Sequence, residues 1–127
     1  MSFDWIAYLT LARELAEQGE RPPRDEAKLR CALSRAYYAA FCAARNYLRD
    51  REGYNIPKDM VHWYVSNEFL MSAEPTRQQI GAYLNRMSLA RKQADYEDVV
   101  PNVWSQTHYV IVMAEEVIDA LRDLKRA

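Results

Sequence analysis

In the last quarter of the chain, Val103, Thr107, Val110, Ala114, Val117, Leu121 and Leu124 recur at alternating steps of four and three. Such spacing lays one apolar seam along a helix that packs in a bundle. The same period appears near the start. There Trp5, Ile6, Leu9, Ala12, Leu15 and Ala16 share a side and leave Arg13, Glu14 and Glu17 to solvent, which predicts a covering helix. Gly and Pro punctuate what lies between. Gly19 with Pro22 and Pro23, Gly53 with Pro57, then Pro75, then Pro101 mark the expected breaks. Five helical segments follow, spanning roughly residues 3–18, 24–52, 58–72, 76–98 and 102–126. Thr76 and Gln79 have capping-box spacing, which predicts a fourth helix starting just after Pro75.

The second segment, expected to be the longest helix, divides into two faces at about 100° per residue. Leu29, Leu33, Ala36, Ala40, Ala43, Ala44 and Tyr47 form a core side whose alanines admit a close neighbour. Opposite them, Cys31, Arg35, Tyr38, Cys42, Arg45 and Arg49 fall on one line, expected to face a groove or a second copy of the chain. Arginine forks clamp phosphates and stack bases, and Tyr38 adds an aromatic face, so Arg35, Tyr38, Arg45 and Arg49 are candidates for binding a nucleotide or RNA. The same pattern also describes a solvated face whose arginines pair with acids such as Asp50, Glu52 or Asp25.

Size and composition narrow the classes. A chain of 127 residues, half of them hydrophobic, supports one compact core, and residues 1–127 are read as a single domain. The formal net charge of -1 excludes a generally polycationic protein, so any nucleic-acid contact rests on a local patch. No apolar run approaches the roughly 20 residues of a membrane span, and residues 1–8 lack a signal-peptide layout. No membrane association and a cytoplasmic location are expected. Cys31 and Cys42, eleven residues apart on one helix, lie about 16 Å from each other, too far for a disulfide, and are expected as reduced thiols. His62 and His108 each sit among apolar neighbours with no metal-ligand partner at usable spacing, so neither metal nor cofactor is expected.

The stretch from Ser34 to Arg45, SRAYYAAFCAAR, resembles the signature helix of the HEPN (higher eukaryote and prokaryote nucleotide-binding) family. Arg91 to Tyr96, RKQADY, resembles a second hallmark of that family, with Arg91, Asp95 and Tyr96 as its motif residues. The resemblance implies an all-α fold, an up-and-down four-helix bundle with an additional helix, usually a homodimer. In many members it implies a metal-independent endoribonuclease of toxin-antitoxin or antiviral systems. The family pattern places a histidine four to six residues beyond an arginine. Here Arg35 matches, and six residues on the position holds Cys42.

That departure divides the functional expectations. Metal-free RNA cleavage needs a base for the ribose hydroxyl, an acid for the leaving oxygen and cations around the phosphate. A Cys42 thiolate beside Arg35 and Arg45 would serve better as a nucleophile than as a proton shuttle. The first expectation is therefore a binding module with a degenerate motif, whose partners are RNA, a nucleotide, or a cognate nucleotidyltransferase or antitoxin. The second is a ribonuclease in which Cys42, or His62 folded over the Arg35 line, takes the histidine role. The third is a structural adaptor. On the first, Cys42→His should create cleavage that depends on Arg35. Arg91 and Asp95, four apart, are expected to pair as a clasp with Tyr96 packed beneath.

Overall fold

A computed structural model describes residues 2–18 and 25–126. Among these residues five helices run in order: α1 Ala7–Gln18, α2 Glu26–Arg51, α3 Val61–Leu70, α4 Pro75–Tyr96 and α5 Val103–Arg126. No strand occurs among the described residues, so the chain is all-helical as its periodicity predicts. The break expected at Gly19, Pro22 and Pro23 lies outside the described residues. No described helix is long and apolar enough to cross a membrane.

At 26 residues α2 is the longest helix, and every other helix packs against it. Leu29, Leu33, Ala36, Ala40, Ala44 and Tyr47 are buried, in agreement with the core face. Burial extends well beyond that face. Ala32, Tyr37, Ala39, Phe41, Cys42 and Leu48 are buried too, so the middle of α2 is enclosed on several sides. Five fully buried alanines, at 32, 36, 39, 40 and 44, let neighbouring helices approach closely. The α5 seam from Val103 to Leu121 is buried as expected, with Leu124 partly so. Thr107 belongs in it because its hydroxyl donates to the carbonyl of Leu29 at 3.0 Å.

Helix ends show what local pattern could not. Gly53, at φ +74°, terminates α2, and the Tyr54 amide turns back to the Leu48 carbonyl at 3.0 Å. The capping box at Thr76 is corrected. Pro75 is itself the first residue of α4, which carries Thr76 into the helical turn, and no side chain caps the helix from Glu74. Ser72 serves instead, accepting from the Glu74 amide at 3.2 Å and from Arg77 Nε at 3.1 Å, while Gln79 turns forward to the Tyr83 hydroxyl. At the other end of α4, Arg30 of α2 donates to the carbonyls of Ala94, Glu97 and Asp98. A cation there satisfies carbonyls that the helix leaves free. Gly81 lies inside α4 where α3 ends against it. A Cβ there would stand 2.4 Å from the Leu70 amide nitrogen.

Candidate functional site

The Arg35 line of α2 is only partly open. Cys31, at the start, is exposed, and Arg49, at the far end, is exposed and paired with Asp50 at 2.8 Å. Between them the line is roofed. The Arg35 guanidinium carbon lies 5.0 Å from the ring centre of Tyr8 and 5.1 Å from that of Tyr38, and Arg45 lies 5.4 Å from the ring of Trp5. The arginines were expected to meet either acids or a groove. Arg49 meets an acid, whereas Arg35 and Arg45 meet aromatic rings brought by the chain's first residues, because an aromatic face attracts a guanidinium without neutralising it.

Cys42 is 3% exposed and belongs to the main core. Burial pushes its thiol above the ordinary cysteine range, and the opposing pull of Arg45 and Arg35 does not reverse this. A thiolate beside the two arginines, allowed by spacing alone, is thus corrected: desolvation outweighs attraction, and the position holds a buried neutral thiol.

His62 comes to the neighbouring face of α2. Its Nδ1 is hydrogen-bonded to the Tyr37 hydroxyl at 2.5 Å, and its ring stacks on Phe41 with centroids 4.2 Å apart. The Tyr38 ring stands edge-on at 6.0 Å. Burial first, and then the charges of Arg91 and Lys92, hold this imidazole below its usual pKa, while burial raises the Tyr37 phenol. Both groups are neutral at pH 7. Ring contacts, with Tyr38 between, separate His62 from Arg35. His108 lies elsewhere, stacked on Trp104 with centroids 3.9 Å apart.

A hydrogen-bond chain joins the two sequence motifs. Arg35 donates to Ser34 Oγ at 3.3 Å, and Ser34 donates to Asp95 Oδ2 at 3.3 Å. Asp95 pairs with Arg91 at 3.6 Å, the expected clasp. Its aromatic partner differs from the expectation. Tyr96 is 76% exposed, and the rings on Arg91 are Tyr37 and Tyr38, each 5.5 Å from its guanidinium carbon. Tyr96 closes the last turn of α4 and points away, whereas α2 lays two tyrosines directly against Arg91. Among the described residues, Arg91 Nε is buried with no hydrogen-bond partner.

The open part of the line continues into a groove of about 530 Å³ between α2 and the loop leading to α3. Arg45, Arg49 and Lys58 line it with Tyr54, Asn55 and Pro57, and no acidic residue is among its lining. Tyr54 and Lys58 were missed from sequence. A tyrosine and a lysine flanking Gly53 and Pro57, just past an arginine-rich helix end, were the available signal. Among the described residues, no group of three or more His, Cys, Asp or Glu side chains is placed to hold a metal ion. Comparison of the chain with protein-family models, curated proteins and solved structures finds no match.

Proposed function

We propose that this chain is a HEPN-type helical module that binds single-stranded RNA or a nucleotide along the arginine line of α2 and does not cleave it. The observation that carries the reading is the groove lined by Arg45, Arg49 and Lys58 without an acid, with Tyr54 beside them. Three cations suit a run of phosphates, and an aromatic ring offers a base its face. The Arg49–Asp50 pair is exposed, and such pairs are weak enough for a phosphate to compete. Absence of cleavage follows from position 42, where a buried neutral thiol stands in place of a titrating imidazole. The family reading itself rests on the residues at 34–45 and 91–96; the all-helical architecture accords with it. In this reading the module acts as a homodimer, in a toxin-antitoxin or defence setting with a nucleotidyltransferase or antitoxin as its cognate partner.

The test is a titration of a labelled single-stranded oligoribonucleotide in chelator, read by anisotropy for binding and by gel for integrity. Binding should weaken with salt at a log–log slope of about −2, from roughly 0.7 per phosphate contact over three contacts. Arg49→Ala and Lys58→Ala should each weaken it and flatten that slope, with the RNA intact throughout. No binding by the parent refutes the reading. Cleavage that disappears in Arg35→Ala replaces it with a ribonuclease.

A further inference from the structure

Phe3, Trp5 and Tyr8 pack on one another, with ring centroids 4.9, 5.3 and 5.5 Å apart. Asp4 folds this segment into α1: its side chain accepts from the Ile6 amide at 3.1 Å and its carbonyl from the Ala7 amide at 3.0 Å. The cluster's outer edge, Phe3, is exposed. Its inner edge lies on α2, Tyr8 over Arg35 and Trp5 over Arg45. Among the described residues, neither arginine has a carboxylate within ion-pair distance; Trp5 covers the Arg45 guanidinium, and Tyr8 shares that of Arg35 with Tyr38 of α2 itself.

The segment sits at the edge of the core, where Trp5, Ile6 and Tyr8 pack only partly buried. A surface cleft of about 180 Å³ is lined by Phe3, Trp5 and Ile6 together with Ala43, Ile118 and Leu121. The rest of α1 is anchored differently, through Leu9, Ala12 and Ala16, all buried. Residues 3–6 precede α1 and Tyr8 lies in its first turn, so lifting them unwinds that turn and leaves α1 docked from Leu9 onward. Cation–π contacts at partly exposed sites are weak enough to be exchanged.

We infer that residues 3–8 are an aromatic strap that occupies, inside the free protein, the guanidinium faces on which RNA bases stack. The inference rests on the reading that the α2 arginines bind RNA, and it adds the regulation of that site. A nucleobase stacks on an arginine plane as an indole or phenol does, so strap and bases compete for Arg35 and Arg45. Phosphates bind at Arg49 and Lys58 with the strap in place. Bases reach Arg35 only when it lifts.

The experiment compares the parent with Trp5→Leu/Tyr8→Leu, which keeps apolar bulk and removes both rings. Two probes are used: a mixed-sequence single-stranded oligoribonucleotide and an abasic strand of the same length. The double variant should bind the oligoribonucleotide about five- to thirtyfold more tightly, the worth of two exposed cation–π contacts. It should bind the abasic strand as the parent does, and adding Arg35→Ala and Arg45→Ala should erase the gain. Equal affinity of parent and double variant for the oligoribonucleotide overturns the strap, as does a gain that survives loss of both arginines or appears equally with the abasic strand. Failure of every form to bind either probe instead refutes the underlying RNA reading. Should the double variant not fold, the parent labelled with 5-fluorotryptophan decides: the Trp5 resonance should move on RNA addition, and one that stays in place overturns the strap.

Discussion

The Tyr37 hydroxyl and His62 Nδ1 meet at 2.5 Å, a hydrogen bond that pins α3 to the centre of α2. The imidazole lies between Phe41 and the charges of Arg91 and Lys92 of α4, with Tyr37 and Tyr38 of α2 as its titratable neighbours. Protonating it places a third cation in that corner. Because its pKa in the fold lies below the ordinary 6.5, the unfolded chain takes up the proton first as pH falls. The stability contributed by neutral His62 is thus complete above about pH 6.5 and is lost progressively below it. Melting temperature measured from pH 7.5 to 5 should fall for the parent, and His62→Phe, which keeps the stack on Phe41, should flatten the decline between pH 6.5 and 5. Identical slopes would show that His62 does not govern acid stability.

The two thiols should separate cleanly in a titration with an aromatic disulfide reagent. Cys31 is exposed and Cys42 buried with its thiol held protonated, and the thiolate is the reactive form. One equivalent per chain should react promptly in native buffer and the second only in denaturant. Two fast equivalents would mean that position 42 is reachable and would restore it as a chemical group. The same burial changes what Cys42→His does: an imidazole larger than the thiol overpacks the core, at about 1 to 3 kcal/mol. That variant is therefore read for melting as well as for RNA cleavage, and a melting temperature equal to the parent's would argue against the enclosed position.

Gly81→Ala should destabilise the protein although it replaces glycine in the middle of a helix. Alanine would gain about 1 kcal/mol from helix propensity. The added Cβ, however, would meet the Leu70 backbone, with nitrogen at 2.4 Å and Cα at 2.7 Å, and a backbone cannot rotate out of the way. Separating α3 from α4 to make room should cost about 1 to 3 kcal/mol, more than the gain. Thermal melts decide the sign; a variant more stable than the parent would show that α3 and α4 do not cross this closely.

Which residues were legible in advance follows from the range of the signal that carried them. The α5 seam and the core face of α2 are periodic within one helix, so spacing alone exposed Val110, Val117, Leu33 and Ala40 as buried. Cys42 and Arg35 share their line on α2 with the same regularity, yet one is enclosed and the other roofed by rings. Periodicity describes one helix at a time and contains nothing about which neighbour covers a second face. Arg30 was invisible for the same reason: its role depends on the carbonyls of Glu97 and Asp98, 67 and 68 residues away in the chain.

The sequence by itself determined that this protein is built of helices, where three breaks among the described residues fall, and which stripe of each helix seeks apolar company. Those properties follow from the 3.6-residue period, from proline's missing amide and from glycine's freedom at Gly53. Only the tertiary structure decided that Trp5 and Tyr8 would lie on Arg45 and Arg35, that Tyr37 would hold His62, and that the Cys42 thiol would be sealed from water. Each depends on the distance and dielectric between groups that chain order keeps far apart, and packing alone sets both.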